Sequence, residues 1–248
     1  MFNRIYKIFL IALIMTISTN IAFSQNYGNY RPPLMNTPSY ASNRENVLII
    51  LDSSYSMNDK INGERKIDIA KRVINQVLSN LSPNIRVGLR VYGHKSSFLG
   101  INSCRASELK VPIGEGTQRF ISNQLLKIQP EGWTPISYSL AQAVDYDFNG
   151  VLGKKRIILV SDGMETCDGS PCDFAINLVR KGIELKIDVI GFDLTEEMAK
   201  SQLKCVALAT KGKFYTANSA GELAKYLNNS LNSSKEVQGR IMNKYLGN

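Results

Sequence analysis

Two unbroken apolar runs, Val47-Leu-Ile-Ile-Leu51 and Ile157-Ile-Leu-Val160, constrain this chain more than any other feature. A strand with one wetted face alternates polar and apolar residues. A run without alternation must be covered on both sides, as in a parallel sheet layered between helices. The intervening sequence agrees. Over residues 66–81, Ile67, Ala70, Ile74, Val77, Leu78 and Leu81 share one helical face, with Lys71, Arg72 and Gln76 opposite. Arg86-Val-Gly-Leu-Arg-Val-Tyr92 is a second strand, and residues 108–113 form a short edge strand. Helices are expected over 117–128 and 136–148, the latter with Thr134 near its cap and Pro135 in its first turn. Helices over 173–181, 196–210 and 220–231 alternate with strands over 185–192 and 213–215. Such alternation predicts an α/β fold, a mainly parallel, doubly wound sheet with helices on both faces. Ligands of such sheets lie at the carboxyl ends of the strands, at the topological switch point.

The ends of the chain read differently. Residues 1–24 have the form of a secretory signal peptide: Arg4 and Lys7, the apolar run Ile8-Phe-Leu-Ile-Ala-Leu-Ile-Met15, then Ala22-Phe23-Ser24 before Gln25. The run is shorter than the ~20 residues of a membrane span. This predicts an exported protein, periplasmic, secreted or associated with the cell envelope, with no transmembrane segment after cleavage. Residues 25–44, rich in Asn, Tyr, Pro and Ser, read as a linker, 45–231 as one domain, and 232–248 as a polar tail. Loss of residues 1–24, which hold two bases and no acids, leaves 224 residues and lowers the formal charge from +9 to +7.

Export changes the meaning of Cys104, Cys167, Cys172 and Cys205. In an oxidising compartment four cysteines are most simply two disulfides, with three possible connectivities. The turn-rich loop Cys167-Asp-Gly-Ser-Pro-Cys172 favours a local bridge, which leaves Cys104 to pair with Cys205. Free thiols and a zinc site are the alternatives. The isolation of Cys104 and Cys205 in sequence argues against zinc.

The chemistry-bearing residues cluster at the expected strand ends. Asp52-Ser53-Ser54-Tyr55-Ser56 follows the first apolar run, and Ser161-Asp162-Gly163 follows the second. Gly132-Trp133-Thr134-Pro135-Ile136 opens a helix between them. Asp52, Asp162, Ser54, Ser56 and Thr134 supply two carboxylates and three hydroxyls, all hard oxygen donors. That set suits a divalent cation, Mg²⁺ first, with Mn²⁺ or Ca²⁺ possible. With only two charged donors, the ion would stay electron-poor and keep a position for an outside anion, such as a partner's Asp or Glu.

These motifs, Asp52-x-Ser54-x-Ser56, Thr134 in Gly-x-Thr-Pro-Ile and Asp162 in Val-Ser-Asp-Gly, resemble the metal-ion-dependent adhesion site of von Willebrand factor type A domains. The text around His94 (Gly-Leu-Arg-Val-Tyr-Gly-His) and the run Ser-Asp-Gly-Met-Glu-Thr-Cys-Asp-Gly-Ser-Pro-Cys172 resemble the bacterial exported branch. The resemblance spans residues 45–231. It implies a six-stranded sheet with one antiparallel edge strand. It also implies Ser54 and Ser56 as direct metal ligands, Thr134 as direct or water-mediated, and Asp52 and Asp162 as acting mostly through water. The expected function is metal-dependent binding of a protein partner. A scaffold domain with a structural metal and a metal-dependent hydrolase are the alternative functions.

Several residues near the motifs admit more than one role. Tyr55, Trp133 and His94 are candidates for a partner-binding rim. Packing accounts equally for Trp133, and a hydrogen-bonded structural role accounts better for His94 than the rim does. Glu165 and Asp168 either cap the following helix or keep the rim acidic. The bases are dispersed, without the basic patches or motifs of nucleic-acid binders, so no nucleic-acid partner is expected. There is no Gly-x-Ser-x-Gly elbow and no P-loop, and a single His leaves little acid–base chemistry, so the chain reads as a non-enzyme.

Overall fold

The computed structural model describes residues 44–95 and 103–232. The signal peptide and nearly all of the linker and tail expected from the sequence lie outside these residues. β1 (Glu45–Asp52) leads through a 3₁₀ turn (Tyr55–Asn58) and a small hairpin of β2 (Lys60–Ile61) and β3 (Glu64–Arg65) into α1 (Lys66–Leu78). β4 (Ile85–Tyr92), β5 (Ser107–Gly114), α2 (Gln118–Leu125) and α3 (Ile136–Gln142) follow. The second half contains β6 (Lys154–Ser161), α4 (Pro171–Arg180), β7 (Lys186–Phe192), α5 (Glu197–Ala209) and β8 (Phe214–Ala217). A final helix, α6, covers 220–232.

The main sheet has the order β5-β4-β1-β6-β7-β8. Its pairs are parallel except β4 with β5, so the edge strand β5 is the antiparallel one. The alternation inside the apolar runs explains the layering. Val47, Ile49 and Leu51 enter one core with α1, α2 and α6, through Ile67, Val73, Ile121 and Leu227. Leu48 and Ile50 enter the other with α3, α4 and α5, through Leu140, Leu178 and Leu203. Both faces of β1 are thus dry, as its lack of alternation requires.

The chain crosses from β1 to β4 on one side and later returns to β6 on the other. The switch point therefore lies between the carboxyl ends of β1 and β6. Two departures from the expected helices are instructive. The first helix ends at Leu78 instead of residue 81. The helix expected over 136–148 is α-helical to Gln142 and then widens into a π turn, Ala143–Asp147. The wide turn brings Asp147 onto Arg90 of β4, with Arg90 Nε and Nη2 donating to its two carboxylate oxygens at 2.6 and 2.8 Å. Both side chains are buried, so this long-range pair outweighs the local preference for a regular turn.

Candidate functional site

Strand alternation and the β1–β6 register deliver the two aspartates together. Asp52 ends β1, Leu51 pairs with Val160, and Asp162 is the first residue after β6. The Asp52 side chain accepts three hydrogen bonds. Its Oδ1 takes the Ser54 backbone N–H at 2.7 Å. Its Oδ2 takes the hydroxyls of Tyr92 at 2.8 Å and Ser161 at 2.7 Å. The Ser54 and Ser56 hydroxyls lie 3.2 Å apart, and Ser56 Oγ donates to Asp162 Oδ1 at 2.8 Å. Asp52, Ser54, Ser56 and Asp162 are therefore one connected cluster at the switch point.

Thr134 reaches the same place through its backbone. The Tyr55 N–H donates to the Gly132 carbonyl at 2.9 Å, and the Gly132 N–H donates to that of Gly93 at 2.7 Å. Glycine is required along this seam. A Cβ on Gly93 would stand 2.7 Å from both the Ser54 nitrogen and the Trp133 carbonyl oxygen, and one on Gly132 would stand 2.5 Å from the Lys95 carbonyl oxygen. A clamp from the Asp162 loop fixes the rest of the segment. The Thr134 N–H donates to Thr166 Oγ1 at 2.8 Å, and the Thr166 N–H returns a bond to the Thr134 carbonyl at 3.3 Å. Glu165 Oε2 accepts the Ser137 N–H at 2.7 Å, capping α3. Glu165 thus serves the helix before it; α4 is capped by the Ser170 hydroxyl.

The electrostatics of the cluster favour a cation. Burial pushes the Asp52 carboxyl above the ordinary carboxylate range, against the hydrogen bonds from Ser54, Ser161 and Tyr92. Burial, followed by the nearby charge of Asp52, pushes Asp162 up to about 7. The Lys66 ammonium, 3.2 Å from Asp162, offsets this cost only in part, and two carboxylates so deeply desolvated favour a further positive charge. Among the described residues, no group of three His, Cys, Asp or Glu side chains could hold a metal. A centre here would draw on two carboxylates and neutral hydroxyls, hard donors that fit Mg²⁺, Mn²⁺ or Ca²⁺.

The rim candidates separate. Tyr55 is 72% exposed and Trp133 52% exposed, and the Tyr55–Gly132 hydrogen bond places them on adjoining loops beside the cluster. The His94 side chain is buried, with Nε2 3.0 Å from Glu108 Oε2. Burial pushes its imidazole down against the pull of Glu108. His94 is thereby occupied in a structural contact.

The disulfides differ from the expected pairing. Cys104 joins Cys167 and Cys172 joins Cys205, at Cα separations of 5.6 and 5.4 Å, so the local Cys167–Cys172 bridge is absent. The start of α4 lies between Cys167 and Cys172 and sends them to different neighbours. Cys172 enters the first turn of α4 and meets α5, while Cys167 stays in the Asp162 loop and meets the 3₁₀ turn Ser103–Arg105. The two rings, spanning 63 and 33 residues of sequence separation, do not interleave. Each constrains the unfolded chain by about 4 kcal/mol in the chain-entropy treatment. Reduction should therefore lower the urea midpoint in two additive steps, resolved by Cys167→Ser and Cys205→Ser variants, each paired with serine at its partner. Equal midpoints with and without dithiothreitol would contradict the assignment.

With the geometry established, comparison with other proteins decides the family. The von Willebrand factor type A domain model matches residues 46–229. The chain belongs to this family. Domains of the family generally mediate protein interactions. A relative, the uncharacterized protein YwmD of Bacillus subtilis, is 32% identical over 194 residues, covering 75% of this chain and 86% of its own. An aerotolerance-related membrane protein of Bacteroides fragilis shares the fold at TM-score 0.58 and 17% identity, covering 77% of this chain and 99% of its own. Proximal thread matrix protein 1 of the mussel byssus, solved with a zinc-occupied adhesion-site motif, is similar at TM-score 0.59 and 19% identity, covering 78% and 46% respectively. Among the described residues, no helix is long and apolar enough to cross a membrane.

Residues that sequence reasoning did not single out complete the site. Tyr92 and Ser161 hold Asp52, Thr166 holds Thr134, and Lys66 lies 3.2 Å from Asp162. Only Lys66 carried a usable signal. Four residues before Ala70, it falls on the apolar face of its helix, where an unpaired lysine would be costly.

Proposed function

We propose that this is an exported interaction domain that engages an acidic residue of a protein partner through a divalent cation held by Asp52, Ser54, Ser56, Thr134 and Asp162. Mg²⁺ is the first candidate, with Mn²⁺ or Ca²⁺ as substitutes. The observation that carries this reading is the connected cluster of Asp52, Ser54, Ser56 and Asp162 at the switch point. The ion would supply Lewis acidity toward a carboxylate oxygen from outside. The chain's own residues orient the donors. Tyr92 and Ser161 occupy Asp52 Oδ2, and Ser54 N–H occupies Oδ1, so little of Asp52 is left for direct coordination. Exposed Tyr55 and Trp133 offer aromatic contact beside the bound carboxylate.

Residues 1–24 would be removed on export, with 25–44 linking the domain over 45–231 and 232–248 trailing it. The partner of such a domain is another envelope or extracellular protein, and the domain itself performs no chemistry. Capture from envelope extract tests this. The parent should retain a partner in Mg²⁺ and release it in EDTA, and Thr134→Ala should lose most of the retained material while keeping its melting temperature. Capture that survives both EDTA and Thr134→Ala would remove the adhesion-site reading and leave the scaffold alternative.

A further inference from the structure

Lys66 occupies an unusual place. It is the first residue of α1, where the helix macrodipole disfavours a cation. Its side chain is 8% exposed and aligned with the face that packs into the sheet. What holds it there is a set of carboxylates from separate elements. Its Nζ is 3.2 Å from Asp162 Oδ2 in the loop after β6 and 3.2 Å from Asp193 Oδ2 just after β7. It is 4.0 Å from Asp59 Oδ2 at the end of the 3₁₀ turn. The backbone is fitted to this arrangement. The Lys66 N–H donates to the Asp59 carbonyl at 2.8 Å, and the Asp193 N–H to that of Ala217 at 2.7 Å. Asp193 itself takes a φ of 53°, in the left-handed region that aspartate tolerates better than most residues.

The consequence falls on Asp162. Its side chain is fully buried, and its two oxygens have different neighbours: Ser56 at Oδ1 and the Lys66 ammonium at Oδ2. We propose that Lys66 is a positioning residue that reserves Asp162 Oδ2 for itself, leaves Oδ1 alone for the ion, and thereby selects a small octahedral cation over Ca²⁺. Ca²⁺ takes six to eight oxygens and readily uses both oxygens of a carboxylate. Mg²⁺ takes six in strict geometry, with one or two carboxylates and its own waters. An ammonium fixed on Oδ2 blocks the bidentate mode. It also adds a positive charge near the ion, which weakens binding of any cation and keeps the bound ion receptive to an outside anion.

This inference rests on the metal centre proposed above, and calorimetric titration of the full chain with MgCl₂ and with CaCl₂ keeps the two distinguishable. The variant Lys66→Met should bind Mg²⁺ about ten-fold and Ca²⁺ about a hundred-fold more tightly than the parent, moving the preference about ten-fold toward Ca²⁺. Lys66→Arg, which keeps the charge, should hold the preference within about three-fold. Free of metal, Lys66→Met should melt below the parent, since Asp162 and Asp193 lose their counter-charge, and saturating Ca²⁺ should restore it. If the parent binds metal and Lys66→Met leaves the preference unchanged or moves it toward Mg²⁺, the role of Lys66 is overturned and the centre stands. If neither protein binds either ion, both fall. Should Lys66→Met fail to fold, Asp193→Asn decides. It leaves Lys66 concentrated on Asp162, so the preference should move about three-fold further toward Mg²⁺, and an unchanged preference or a move toward Ca²⁺ overturns the proposal.

Discussion

Asp52→Asn is expected to abolish Mg²⁺ binding, weakening it by roughly 100-fold or more, since even water-mediated partners of a metal are worth 10–100-fold. The metal-free variant should be at least as stable as the parent. Both results follow from the same desolvation. Asp52 is fully buried, and its charge is the second cause, after burial, that pushes Asp162 up to about 7. Asparagine keeps an acceptor for the Ser54 N–H and removes one of the two repelling charges. The pH dependence carries the same signature. A carboxyl whose pKa is raised by folding binds its proton more readily in the native state, so stability falls as pH rises from the ordinary 3.8 to about 7. In EDTA the parent should therefore lose stability across that window, and Asp52→Asn should lose less. Titration calorimetry and melting curves in EDTA at pH 5 and pH 7 read both arms. Retained Mg²⁺ affinity, or a metal-free variant that melts far below the parent, would make Asp52 a structural residue instead.

The second large effect lies at the opposite end of the sheet. Arg156→Leu should cost about 3–5 kcal/mol of folding stability, because it strands the buried Asp188 carboxylate that the guanidinium neutralises. Arg156 Nε donates to Glu45 Oε1 at 2.6 Å and Nη1 to Asp188 Oδ2 at 2.7 Å, and the Asp188 side chain is fully buried. Asp188 Oδ1 is already taken by the Lys213 N–H at 2.8 Å, so its carboxylate cannot turn away to find water. The three residues sit on β1, β6 and β7, and the triad ties the three strands together beside their backbone ladders. Urea unfolding should show a lower midpoint with an unchanged slope. Arg156→Leu combined with Asp188→Asn should recover part of the loss, since a neutral replacement of the pair leaves less charge stranded. Metal affinity should not change. A loss under about 1 kcal/mol would mean that solvent reaches these groups.

The parts of this fold that were legible in the sequence are those fixed by burial along a regular period. The runs at Val47 and Ile157 could only be strands covered on both sides, and they are the central pair of the sheet. Asp52 and Asp162 could be placed because each directly ends such a run. What escaped the sequence depends on contacts between distant segments. β2 and β3 are two residues each, too short for any periodicity. The π turn answers to Arg90, 57 positions from Asp147. The disulfide pairing follows where α4 begins, and a local turn signal between Cys167 and Cys172 pointed the wrong way. Thr166 and Glu165 hold the Thr134 segment through backbone amides, which leave no mark in composition.

Cys104 follows β4 and Cys167 follows β6, while β1 lies between those strands. Their covalent bond therefore ties the loop after β6 to the 3₁₀ turn before β5, strands that lie on opposite sides of β1. Tension applied at Asp162 would pass along the loop to Cys167, across the sulfurs to the turn before β5, and so into two strands instead of one. If the site holds a partner as proposed, a pull on that partner is shared between β6 and the far edge of the sheet.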